Sequence, residues 1–136
     1  MNPLWEKYTQ EDAPKDAAIA VCIDDTGRFL VIRRSHIDER GGQWTIPGGH
    51  VDKEDKSLEA AASRELEEET DLVVLTEDLR YLGEPKPGKY YFWAKKWSGD
   101  VDVLIPNPET GQIEHDDFKW ATIEEIKDIA NSEIPI

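Results

Sequence analysis

The stretch Ser63-Arg-Glu-Leu-Glu-Glu-Glu-Thr-Asp-Leu72 (SRELEEETDL) follows the Ala-rich run Leu58-Glu-Ala-Ala-Ala62. Both have helix-forming composition, and Ser57 or Asp55 is available as N-cap, so the sequence predicts a helix from Ser57 to about Thr70. At about 100° per residue, Leu58, Ala61, Ala62 and Leu66 gather on one side, the side that docks on a sheet. Glu59, Ser63 and Glu67 gather opposite, towards water. Glu65 and Glu69, however, fall in the middle of the apolar side, and Glu68 falls on its edge.

A Glu-rich helix is ordinarily a solvated surface, and Glu59 and Glu67 fit that description. Glu65 and Glu69 do not. They lie one turn apart at i and i+4, where two ionised carboxylates repel, and burying them unpaired costs several kcal/mol. A cation must compensate. Arg64 is adjacent in sequence, but the wheel points it away from Glu69. Divalent metal ions are the other candidate, because hard cations prefer carboxylate oxygens. Upstream, Trp44-Thr-Ile-Pro-Gly-Gly-His50 supplies two glycines where backbone can approach a ligand closely. A carbonyl from that loop is a candidate metal ligand beside the carboxylates, and a plain tight turn is the alternative reading of the glycine pair.

The 136-residue chain reads as one domain, 1–136, long enough for a single core. Its 38% hydrophobic and 34% charged residues fit a globular protein and exclude a disordered one. The formal net charge of −14 leaves no basic patch, so long nucleic acid is not an expected partner. A polyphosphate remains compatible if divalent cations bridge it to the protein. Cys22, the single cysteine, sits in the apolar run AAIAVCI and reads as a buried core residue. The charged N-terminus MNPLWEKYTQEDAP has no apolar h-region and no segment is long enough to span a membrane, so a cytoplasmic protein without a membrane partner is expected.

Ala17–Ile23 and Phe29–Ile32 read as two strands joined in a hairpin across the turn signal Asp24-Asp-Thr-Gly27. A polar loop, SHIDERGGQ, and the short strand-like WTIPGG come next. Val73–Leu75, Leu79–Gly83, Lys89–Trp97, Val101–Ile105 and Phe118–Ala121 are further strand candidates, and Ile123–Ala130 closes the chain as a second helix. Strands dominate, which predicts a mixed α/β or α+β fold, a sheet with helices packed on it.

Gly49, then Arg64-Glu65-Leu66, Glu68-Glu69 and Leu72 resemble the Nudix box of the Nudix hydrolase superfamily. That box runs Gly, five residues, Glu, seven residues, Arg-Glu-apolar-any-Glu-Glu-any-Gly-apolar. Here the block REL-x-EE is unbroken, and Arg33-Arg34 ending a strand, WTIPGGH before the box and FKWATIEEI late in the chain are also similar to the family. Two positions depart from the pattern. Counted back from Arg64, the outer Glu falls on Lys56 and the first Gly on His50; counted forward from Gly49, the Glu falls on Asp55. One residue is therefore inserted in the loop HVDKEDK, with Asp55 or Glu54 as stand-in. Asp71 occupies the glycine position at the helix end, a site expected to need a left-handed backbone.

The resemblance implies an α/β/α sandwich, a mixed curved β-sheet with the box helix (box about 49–72) and a C-terminal helix packed on it. It also implies a Mg²⁺- or Mn²⁺-dependent pyrophosphohydrolase of MutT-like type, acting on a nucleoside diphosphate linked to X. Carried over residue by residue, Glu65, Glu68 and Glu69 are the metal-site carboxylates, the Gly49 carbonyl is a further ligand, and Arg64 orients the box through ion pairs. Glu114, in the loop QIEHDDFKW and six residues before Trp120, is placed as in MutT-type members and is a candidate ligand or general base. Glu65 and Glu114 both stay open as the base. Arg33 and Arg34 are candidates for phosphate binding, and His50 for substrate contact. Trp44, Tyr90, Tyr91, Phe92 and Trp93 read as core, with one or two available to stack on a base. Substrates by analogy are a nucleoside triphosphate, nucleotide sugar, ADP-ribose or dinucleoside polyphosphate, and a homodimer is an expectation of the same kind. The reading from another class is a catalytically idle Nudix fold that binds a nucleotide as a sensor.

Overall fold

Strand β1 (Ala17–Cys22) is buried along its whole length, on both faces, and this fixes the architecture around it. The computed structural model describes residues 16–36 and 41–130. The N-terminal segment read above for targeting signals, and positions 37–40 of the polar loop, lie outside the described residues. The remaining elements are β2 (Phe29–Arg34), β3 (Trp44–Thr45), β4 (Gly48–His50), α1 (Leu58–Thr70), β5 (Leu79–Lys86), β6 (Lys89–Ala94), β7 (His115–Ala121) and α2 (Ile123–Ala130), with one 3-10 turn at Thr76–Asp78.

The strands form two sheets, ordered β4-β1-β6-β5 and β3-β2-β7. In the first, β1 runs parallel to β6 and antiparallel to β4, so the sheet is mixed. The second is antiparallel throughout. Side chains of β1 alternate between two apolar clusters, as strand geometry requires. Ala18, Ala20 and Cys22 join Leu66, Ala61, Ala62, Leu30 and Phe92, with α1 on that face. Ala17, Ile19 and Val21 join Val31, Tyr91, Ala121 and Ile126 of α2 on the other. This is the expected layering of helices on a mixed sheet. Cys22 is a free core cysteine, and burial pushes its thiol up to about 12. No helix among the described residues is long and apolar enough to cross a membrane.

Three sequence expectations change. The expected β1–β2 hairpin does not exist as a pair: beyond one isolated bridge, Ile23–Phe29, the two strands part into different sheets. The turn itself is as read, with Asp24 Oδ1 accepting from the Thr26 N–H, the Thr26 hydroxyl and the Arg28 N–H. A strand apolar on both sides needs two covered faces, and β4 and β6 take its edges. Val101–Ile105 is no strand despite its apolar alternation. Its backbone donors go elsewhere: Asp102 N–H binds the Thr70 carbonyl at the end of α1, and Leu104 N–H binds the Asp102 side chain. Val73–Leu75 contributes only a bridge from Val73 to Ser98.

Helix α1 begins where the sequence places it. Ser57 is extended (φ −161°, ψ 169°) and its Oγ accepts the Ala60 N–H at 3.0 Å. It ends at Asp71, whose φ of 65° and ψ of 8° lie in the left-handed region while its N–H binds the Glu67 carbonyl. Ala61, Ala62, Leu66 and Thr70 are its buried residues. Removing a side chain such as Leu66 costs about 2–5 kcal/mol.

Candidate active site

The docking face of α1 sets Glu65 and Glu69 against β4, and the sheet pairing brings that strand beneath them. Glu69 Oε1 accepts the Gly48 N–H at 2.8 Å. A Cβ on Gly49 would stand 2.6 Å from the Glu65 carboxylate carbon, so only glycine permits this approach. The side chains of Glu65 and Glu69 are 14% and 18% exposed, against 40% for Glu68. The wheel's division therefore holds: two carboxylates on the docking side, one on its edge, and Glu67 in water.

Arg64 ties the helix to the loop before it. Its Nε and Nη2 donate to Asp55 Oδ1 and Oδ2, both at 2.8 Å. Nη2 also donates to the His50 carbonyl at 3.1 Å, while Nη1 reaches Glu65 Oε1 at 2.9 Å and Glu68 Oε2 at 3.2 Å. The guanidinium is held still more firmly protonated, first by its hydrogen bonds to Asp55. Asp55 is buried and also accepts the Asp52 N–H, which closes the turn of the inserted loop. Of the two stand-ins for the outer Glu, Asp55 makes this pair.

Electrostatics follow from the burial. The Glu65 carboxyl is raised above its ordinary value, first by desolvation, with Arg64 opposing and Glu68 adding. Glu69 is raised well above its ordinary value, again first by desolvation and then by the charge of Glu65. The Gly48 N–H and Arg34 oppose this, and the charge of Glu114 adds to it. Arg34 and Glu114 thus act on the Glu69 carboxylate from across the site. The Ser35 N–H binds the Glu114 carbonyl at 2.8 Å and the Ser35 hydroxyl binds that of Ile113 at 2.7 Å, which holds this loop against the end of β2. The Glu114 side chain accepts from Asn107 Nδ2.

Arg33 points the other way, as strand alternation requires. It pairs with Asp116 at 2.7 Å and lies 5.7 Å from the Trp44 ring. His50 presents an exposed side chain at the rim. Among the aromatics, Tyr91 and Phe92 are buried, whereas Trp93 is 37% exposed.

The sequence reading passed over His115. This first residue of β7 is buried and sits opposite Arg34 across a bulge, with Nε2 3.7 Å from Glu69 Oε2. A histidine next to Glu114, in the loop expected to precede the Phe118–Ala121 strand, was its only signal; the structure extends that strand back to His115.

The donors at this site are hard oxygens, carrying five carboxylates (Asp55, Glu65, Glu68, Glu69, Glu114) against the guanidinium groups of Arg64 and Arg34. That excess of negative charge and the glycine cradle suit a Mg²⁺ or Mn²⁺ ion. Among the described residues no three acidic or imidazole groups already encircle one point. Arg64 draws Glu65 and Glu68 to itself and Gly48 holds Glu69.

A layered α+β fold with a carboxylate-bearing helix docked on a glycine strand defines the class. Residues 13–136 match the family model of the NUDIX domain, and the chain belongs to the Nudix hydrolase superfamily. It is 27% identical over 128 residues to the RNA pyrophosphohydrolase of Bartonella tribocorum, covering 77% of this chain and 70% of that one. It is 32% identical over 99 residues to the asymmetrical bis(5'-nucleosyl)-tetraphosphatase of Rattus norvegicus, covering 66% of this chain and 63% of that protein, less than two thirds of it. The solved structure of a C. elegans Ap4A hydrolase binary complex superimposes with a TM-score of 0.57 at 26% identity, over 85% of this chain and 86% of that one.

Proposed function

We propose that this chain is a Mg²⁺- or Mn²⁺-dependent pyrophosphohydrolase cleaving a nucleoside diphosphate linked to X, by attack of water at phosphorus. The observation that carries this is the pair Glu65 and Glu69, desolvated on the docking side of α1 and apposed to Gly48 and Gly49. Of the substrate classes, a dinucleoside polyphosphate is favoured. The chain is similar to proteins named for that activity, and its net charge of −14 favours a small molecule over long RNA.

Glu65, Glu68, Glu69 and the Gly49 carbonyl would hold the ion, with Glu114 added from the facing loop. Bound there, it supplies charge neutralisation of the diphosphate and an acidified water. The chain's own groups do the rest. The Asp55–Arg64 pair locks the loop to the helix, and the Gly48 N–H orients Glu69. Glu65 or Glu114 takes the proton of the attacking water. Arg34, on the Glu69 side of β2, and His50 at the rim meet the anionic substrate.

The test is incubation with dinucleoside tetraphosphate, nucleoside triphosphates, ADP-ribose, nucleotide sugars and a 5'-triphosphorylated RNA, each with Mg²⁺ or Mn²⁺, resolving products by ion-exchange chromatography. Metal-dependent release of a nucleotide product from one class is expected. Tight binding of one compound with no turnover of any would sink the enzyme reading and leave a nucleotide sensor.

A further inference from the structure

Glu69 has polar groups on two sides, one bonded to it and one just out of reach. On one side the Gly48 N–H donates to Oε1 at 2.8 Å. On the other, His115 Nε2 stands 3.7 Å from Oε2, with the imidazole buried. We propose that His115 is a positioning residue, which fixes the orientation of the Glu69 carboxylate and through it the affinity of the site for a divalent cation. This rests on the functional reading above.

A polar ring is costly in a core unless it has polar work to do. Here it lies at the start of β7, at the position where the bulge re-registers β7 against β2 and sets His115 opposite Arg34. A carboxylate offers about four lone-pair directions. The Gly48 N–H takes one on Oε1, and an imidazole N–H on His115 Nε2 would take one on Oε2 once the gap closes. The 3.7 Å gap is longer than a hydrogen bond, and a side-chain adjustment of roughly 0.5–1 Å closes it. Partners that orient a ligating carboxylate in this way are worth about 10–100-fold in metal affinity.

The experiment measures Mn²⁺ binding, from the EPR signal of free Mn²⁺, for the wild type, His115→Gln and His115→Leu, with melting curves for each. The Gln variant keeps an N–H donor of similar reach; the Leu variant keeps volume and loses the donor. Expected are near wild-type binding for H115Q, a loss of about tenfold or more for H115L, and a matching shift of the H115L activity curve to higher Mn²⁺. Should H115L not fold, H115N, whose donor falls short of Glu69, must show the same loss. H115L binding Mn²⁺ like the wild type, or H115Q losing as much as H115L, overturns the proposal. A wild type that binds no Mn²⁺ overturns the functional reading and this inference together, so the two failures are distinguishable.

Discussion

Asp55 and Arg64 meet in a two-pronged ion pair, Nε to Oδ1 and Nη2 to Oδ2, both at 2.8 Å, with the Asp55 side chain 6% exposed. The same guanidinium reaches the His50 carbonyl, Glu65 and Glu68. One residue from the inserted loop thereby anchors the cation that organises the helix. An aspartate, one methylene shorter than the family's glutamate, makes this reach from a loop that is one residue longer.

Replacing Asp55 by Ala leaves Arg64 without its bidentate partner and opens the turn closed at Asp52. The expected destabilisation is about 2 kcal/mol, below the range for fully buried pairs because Arg64 is partly exposed. Urea unfolding measures it. The Asp55→Ala, Arg64→Ala double variant should lose less than the sum of the single changes; full additivity would remove the pair from the stability argument.

The two glycines of β4 should separate folding from function. A Cβ on Gly48 meets backbone, the Ala18 oxygen at 2.7 Å and the Ile19 Cα at 2.8 Å, neither of which yields easily. Gly48→Ala should therefore disturb the β1–β4 ladder and lower the melting temperature. A Cβ on Gly49 meets the far end of a flexible side chain, Glu65. Gly49→Ala should melt close to the wild type while losing Mn²⁺ binding in calorimetry.

Glu69→Gln should lower turnover by orders of magnitude, and Glu68→Gln likewise, with the fold intact. Stability of the metal-free protein should move the other way for Glu69. Its carboxyl lies well above the ordinary 4.5 when folded, so the folded state keeps a proton that the unfolded state releases. The associated stability is fully present below about pH 4.5 and is lost as pH rises through the folded value. Denaturation in EDTA from pH 4.5 to 8 should show the wild type falling more than Glu69→Gln. Surface groups with lowered values, such as Asp24 and Glu125, act oppositely on the acid side and cancel in the comparison. Equal slopes for the two proteins would contradict the assignment.

Asp71 holds a left-handed backbone with φ at 65° and adds negative charge at a helix C-terminus. Asp71→Gly relieves both, and a gain of about 0.5–1 kcal/mol is expected in urea unfolding. A loss would show that the aspartate makes a compensating contact.

Local order along the chain determined a good deal of this protein. The 3.6-residue period placed Leu66 in the core and Glu65 and Glu69 beside it, Ser57 and Asp71 bounded the helix, and the REL-x-EE block carried the family. These are properties of neighbours within a turn or two, which backbone geometry fixes without knowledge of the rest. Only the tertiary structure decided how distant segments meet. It split β1 from β2, because a strand apolar on both faces must be covered twice. It withheld a ladder from Val101–Ile105, whose amides bind the end of α1 and a side chain. It turned Arg33 to Asp116 and Arg34 to the Glu69 side by strand alternation, chose Asp55 as the partner of Arg64, and brought His115 from the far end of the chain to Glu69. Such choices depend on long-range packing and on which charges lose their water together, and no local pattern in the sequence encodes either.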